Sequence, residues 1–199
     1  MIQNKFTRFA ATAIMAASFG TTSAMAQDES AASDPLGVLS TGEVLGEDMG
    51  DGSYIGNTHG DWELICVELA DEPDPCQMYQ LLRDAEGNAT AEITLVPLPP
   101  GQEAAAGATI LTPLETLLTA QLVMQIDDGQ AKVYPFTFCA AVGCIARVGF
   151  TAEEVDAFRR GAAATWTVVP VAAPDQQVDL TMSLIGFTAA FEELSAQIE

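Results

Sequence analysis

Val178-Asp179-Leu180-Thr181-Met182-Ser183-Leu184 alternates apolar and polar residues without a break. Successive side chains of an extended chain point to opposite faces, so this run is a strand with one face on a core and the other towards water. The same period of two marks Trp62, Leu64 and Cys66, then Leu122, Met124 and Ile126, then Tyr134, Phe136 and Phe138. Residues 77–83, 91–97, 144–149 and 164–171 are rich in β-branched or aromatic side chains and read as further strands. Turn chemistry separates several of them at Glu86-Gly87-Asn88, Asp127-Asp128-Gly129 and Ala173-Pro174-Asp175. In the second of these, Gly129 is expected to take the positive φ of a hairpin turn. Many short strands with little helix point to an all-β chain, and to a β-sandwich in preference to a barrel.

One helix is written plainly. Thr151-Ala152-Glu153-Glu154 has the form of a capping box, in which the Thr hydroxyl accepts from the Glu154 amide and the Glu154 carboxylate answers at Thr151. Val155 and Phe158 follow at helical spacing, Arg159 and Arg160 suit the negative end of the dipole, and Gly161 suits a left-handed stop. A second short helix is expected from Thr188 to about Ala196. Residues 103–119 stay unassigned, because Pro113 suits a helix start while the Thr and Leu pattern does not decide.

Residues 1–26 have the three parts of a secretory signal. Lys5 and Arg8 supply the positive start, and Phe9 to Phe19 is apolar but shorter than the roughly 20 residues that span a bilayer. Ala24-Met25-Ala26 then fits cleavage before Gln27. The mature chain is therefore expected to be periplasmic or secreted, with no membrane span. Residues 27–58, rich in Gly, Ser, Ala and acids, read as a flexible acidic N-terminal arm, and 59–199 as one sandwich domain beginning near His59. The full chain has 7 basic and 28 acidic residues, a formal charge of −21. Between Asp28 and Leu82 it has no Lys or Arg at all. Such a surface repels phosphate backbones and anionic lipid, which excludes nucleic acid as a partner.

Few residues remain that suit chemistry. Cys66, Cys76, Cys139 and Cys144 permit three pairings, and neighbour pairing would close two short loops. Structural disulfides are favoured over a zinc site, whose paired ligands usually have two to four residues between them, and over a redox pair, since no Cys-x-x-Cys occurs. His59 is the only histidine, beside Gly60, so any Ser-His-Asp or Cys-His set would have to use it. No nucleophile elbow, Walker-type loop or zinc-protease motif occurs. Asp127-Asp128-Gly129 and Glu47-Asp48-Met49-Gly50-Asp51-Gly52 lack the alternating ligands of a calcium loop. No catalytic, cofactor or metal residue is assigned.

Several of these residues, taken in order, resemble the invasion-associated locus B family of exported bacterial proteins. They are Gly60-Asp61-Trp62-Glu63-Leu64-Ile65-Cys66 with Cys76, then Leu122-Val123-Met124-Gln125-Ile126-Asp127-Asp128-Gly129. Phe138-Cys139, Gly143-Cys144 and Ser183-Leu184-Ile185-Gly186-Phe187-Thr188-Ala189-Ala190-Phe191 complete the set. The resemblance spans roughly residues 60 to 195. It implies an immunoglobulin-like β-sandwich with one or two short helices, periplasmic or secreted, without catalytic residues. The family is named for host-cell entry by some pathogens; invasion-linked members tend to be basic, whereas this chain is strongly acidic. The expectation is a non-catalytic, disulfide-stabilised binding or accessory protein of the bacterial envelope, acting on a protein or envelope component. The alternatives are a calcium-dependent adhesive domain, or a hydrolase using two carboxylates about 5–10 Å apart with one shifted towards neutral pKa.

Overall fold

The computed structural model describes residues 52–70 and 72–198. Residues 1–26, most of the acidic arm and Glu47–Asp51 lie outside them. Strands β1 to β5 run Ser53–His59, Trp62–Val67, Cys76–Arg83, Ala89–Pro97 and Ala106–Thr112. A short 3-10 turn at Leu118–Ala120 leads into β6 to β9 at Leu122–Ile126, Lys132–Tyr134, Phe138–Ala140 and Gly143–Phe150. Helix α1 (Ala152–Arg160), β10 (Ala163–Val168), β11 (Val178–Ser183) and α2 (Phe187–Ser195) complete the chain order.

Every strand pairing is antiparallel. The hydrogen-bonded order is β7-β6-β10-β11-β3-β4-β5-β9-β8, with β2 also on β3 and β1 outside β2. Strand β3 is therefore a fork. Its first half, Cys76–Tyr79, pairs with β2, and its last residue, Arg83, pairs with Thr181 of β11. The sheet curls until its distant parts meet: Phe150 of β9 lies 6.3 Å from Trp166 of β10 and 6.2 Å from Tyr134 of β7, ring to ring. Tilted and edge-on aromatic contacts such as these stabilise beyond the area they bury. Phe158 of α1 touches both Phe150 and Phe187, and Phe187 of α2 reaches Trp62, so the two helices plug the sandwich. Trp62, Phe150, Phe158, Trp166 and Phe187 are fully buried. The result is the all-β, sandwich-like fold expected from the alternation.

Several details differ from the sequence reading, each for a local reason. Residues 53–58, placed in the arm on composition, form β1 and pair along β2, so the packed domain starts before His59. Residues 106–112 are a strand held between β4 and β9 on both sides, and that pairing overrides the ambiguous local pattern. The run Tyr134 to Phe138 is interrupted, because Pro135 has no N–H to give the ladder. Strand β10 stops at Val168, two residues before Pro170. The capping box is present as written: Glu154 N donates to Thr151 Oγ1 and Thr151 N to Glu154 Oε2. Gly161 is extended, with φ −76°, and is no left-handed stop; a Cβ there would press on Leu184 and Asp127. In the β6–β7 turn the positive φ belongs to Asp127, at 45°, and Gly129 has none.

Candidate interaction face

The fork at β3 would leave backbone groups unpaired where β2 gives way to β11. Gln80, in mid-strand and buried, fills that gap. Its Nε2 donates to the carbonyls of Asp61 and Ser183, both at 3.1 Å, and its Oε1 accepts from Ser183 N at 2.7 Å. Trp62 Nε1 donates to the same Ser183 carbonyl, and Ser183 Oγ donates to Asp61 Oδ2 at 2.6 Å. A buried amide with its groups satisfied fixes geometry, because each alternative placement strands a polar group.

With that joint fixed, β2, β3, β4, β5, β9 and β8 present one outward face. Register lines up its side chains in rows. Leu81, Glu92, Leu111, Ile145 and Phe138 sit opposite one another across five strands. Glu63, Tyr79, Thr94, Thr109 and Arg147 form the next row. The first row is mostly apolar although it faces outward: Leu81 is 42% and Phe138 43% exposed, and nearby Val142 is 74% exposed. Leu81 is a ridge between two depressions. One, of about 230 Å³, is lined by Leu81, Leu111, Pro113 and Val142 beside Glu92. The other, of about 420 Å³, is lined by Asp61, Glu63, Tyr79, Arg83 and Ser183.

The polar groups of this face are unequally committed. Tyr79 donates to Glu92 Oε2 at 3.0 Å, and its hydroxyl is pushed up to about 12 by burial and then by the Glu92 charge. Arg83 donates to the Gly87 carbonyl, and Arg147 lies over the Phe138 ring at 5.7 Å. Glu63 has no hydrogen-bond or ion-pair partner among the described residues.

The four cysteines fasten the two ends of this face. Cys66 joins Cys76 across β2 and β3, and Cys139 joins Cys144 across β8 and β9, each pair directly opposed in register. His59 stands apart: its Nε2 meets Glu193 Oε2 at 2.6 Å, and Asn57 donates to the same oxygen, tying β1 to α2. Asp127 accepts from the amides of Ala162 and Ala163 and so braces the turn after α1. Among the described residues no group of three or more His, Cys, Asp or Glu is arranged to hold a metal ion. The carboxylates with a resolved shift are Asp74, Asp84 and Glu154, and all three are held below their ordinary values. For Glu154, burial pushes the other way. It is outweighed by Lys132, the Thr151 amide, Tyr134 and the Thr151 hydroxyl together.

The residues of this face were not singled out from the sequence. A signal was present in Leu81-Leu82, Ile110-Leu111 and Cys144-Ile145, where both faces of a strand are apolar although one faces outward. Alternation that fails on the outer side is the sequence signature of an exposed apolar patch.

A curled antiparallel sandwich with both ends of one face stapled defines a β-rich module rigid enough to present a surface. The chain belongs to the invasion associated locus B (IalB) family, whose model matches residues 62–195. It is 29% identical over 150 residues to the Invasion protein B homologs of Brucella abortus strain 2308 and of biovar 1 strain 9-941, covering 74% of this chain and 83% of each relative. Among solved structures it resembles invasion associated protein B from Bartonella henselae. That match has a TM-score of 0.59 at 21% identity and covers 71% of this chain and 95% of the other. At that identity the likeness speaks for the fold.

Proposed function

We propose that this chain is a non-catalytic binding module of the bacterial envelope, exported and acting in the periplasm or outside the cell. It engages a protein partner through the outward face of β2, β3, β4, β5, β9 and β8. The observation that carries this reading is the outward apolar row beside an acidic depression, on a sheet face pinned by disulfides at both ends. The partner is a protein segment with an apolar side chain beside a cationic one. The apolar group fits the Leu81–Val142 depression, and the cation meets the unpaired Glu63. The chain's formal charge of −21 favours a cationic partner at long range and speeds its arrival. The relatives' name, invasion protein, suits a partner met at a cell surface. A carboxylate-pair hydrolase would need one carboxyl raised towards neutrality, and the resolved shifts all run downwards.

A photo-cross-linking residue placed at Leu81, with Val133 on β7 as the control position, tests the reading in the native host. The expected product links Leu81 to a Lys- or Arg-bearing segment of one partner, with no such product from Val133. The purified complex should weaken roughly tenfold or more in Leu81→Asp or Val142→Asp, and again between about 0.05 and about 0.5 M salt. Cross-links only to a second copy of the chain, or a complex indifferent to both substitutions, would overturn it.

A further inference from the structure

A second cleft lies between α1 and the β6–β7 hairpin and shares no residue with the sheet face. It is an open groove of about 390 Å³. That is the size of a small-ligand pocket. Its helical wall is Glu153, Ala157 and Arg160, at spacings of four and three, which places all three on one face of α1. Its other wall includes Met124 and Ile126 of β6 and Lys132 of β7.

Counting hydrogen bonds separates the charged groups that build the cleft from those free to act in it. Glu154 is spent: Oε1 accepts from Tyr134 and Lys132, both at 2.8 Å, and Oε2 accepts from the Thr151 amide and hydroxyl. Asp127 is spent on the amides of Ala162 and Ala163. Glu153 and Arg160 have no hydrogen-bond or ion-pair partner among the described residues. Seven residues of helix separate them by about 10 Å, too far to pair with each other. The cleft thus carries a free carboxylate at one end, a free guanidinium at the other, and an apolar floor between.

We propose that this cleft binds a short peptide of two or three residues with free termini. The peptide's carboxylate meets Arg160, its ammonium meets Glu153, and an apolar side chain rests on Met124, Ile126 and Ala157. Three extended residues span about 10 Å, which matches the rise of the helix between the two residues that carry the charges. The small side chain of Ala157 leaves room for the peptide backbone, and a planar guanidinium suits a carboxylate better than an ammonium group does.

Titration of the full chain with Ala-Leu-Ala, followed by calorimetry and amide chemical shifts, tests this. Binding is expected, with shifts confined to α1 and the β6–β7 hairpin. Amidating the peptide's C-terminus should weaken it roughly tenfold, as loss of a charged hydrogen bond would. Arg160→Gln should weaken the free peptide equally and then show no further loss with the amide. Glu153→Gln with the N-acetylated peptide is the matching pair. Both side chains are exposed, so neither change threatens the fold. Absence of binding at about 10 mM peptide, or an amidation effect that persists undiminished in Arg160→Gln, would overturn the proposal.

Discussion

Each of the three tyrosines gives its hydroxyl to a carboxylate: Tyr54 to Asp74 at 2.6 Å, Tyr79 to Glu92 at 3.0 Å and Tyr134 to Glu154 at 2.8 Å. With 28 acids against 7 bases, most carboxylates have no cation available, and a phenol is the neutral donor that remains. The consequence is a shift in all three tyrosines. Tyr54 is raised by its hydrogen bond to Asp74, whereas Tyr79 and Tyr134 are raised by burial first and by their carboxylates next. Because the folded values lie above the unfolded value of about 10, the stability they contribute is complete below that pH. It is lost as pH climbs through the folded values. Absorbance at 295 nm at pH 10 should therefore show less tyrosinate in the folded chain than in urea, where about half is expected. Equal titration curves in the two states would refute the pairing. Asp74 and Glu154 carry the opposite sign, since their lowered values make a contribution that fades as pH falls below the ordinary carboxylate range. None of these partners was legible in the sequence, because the pairs join residues 13 to 20 positions apart, Tyr79–Glu92 across β3 and β4, Tyr54–Asp74 from β1 to a loop and Tyr134–Glu154 from β7 to α1.

Among the elements, what was legible is what is local. Helix α1 announces itself through Thr151 and Glu154, and β11 through its alternation, because both signals are complete within one segment. Strand β5 was hidden, since Ala106-Gly107-Ala108-Thr109 has weak preferences and becomes a strand only when β4 and β9 bracket it. The turn into α2 lies between these cases. Gly186 leads the chain into α2 with a φ of +87°, a conformation that suits glycine. Its contact was not readable: a Cβ there would fall on the carbonyl of His59, the last residue of β1 and more than a hundred residues earlier. Gly87 supplies an internal control, with φ +85° and nothing near the missing Cβ. Gly87→Ala should cost about 1 kcal/mol for the left-handed backbone alone. Gly186→Ala should cost that and at least about 2 kcal/mol more for the clash, in urea unfolding. Equal losses at the two sites would mean that α2 does not press on the β1–β2 corner.

For the molecule as a whole, the cysteines and the strand count pointed to a stapled sandwich, while the outward face stayed hidden. Its apolar row takes one residue from each of five strands, so no stretch of sequence contains it. The two disulfides close loops of 10 and 5 residues' separation. On loop entropy, replacing Cys139 and Cys144 by Ala should cost about 2 kcal/mol and replacing Cys66 and Cys76 somewhat more. Thermal unfolding with and without reductant checks both; a reductant that leaves the transition unmoved would show that sheet pairing alone holds these edges. The fork at β3 has a further consequence, in time. The carbonyl of Ser183 accepts from both Trp62 and Gln80, so two buried groups laid down early wait for a strand more than a hundred residues later. A growing chain that has not yet reached β11 has no Ser183 carbonyl for these two donors, and long-range pairing of this kind is slow to form. Until β11 joins, the corner between β2 and β3 thus stays open, and an open chain, unlike a closed sandwich, is still slender enough to be threaded.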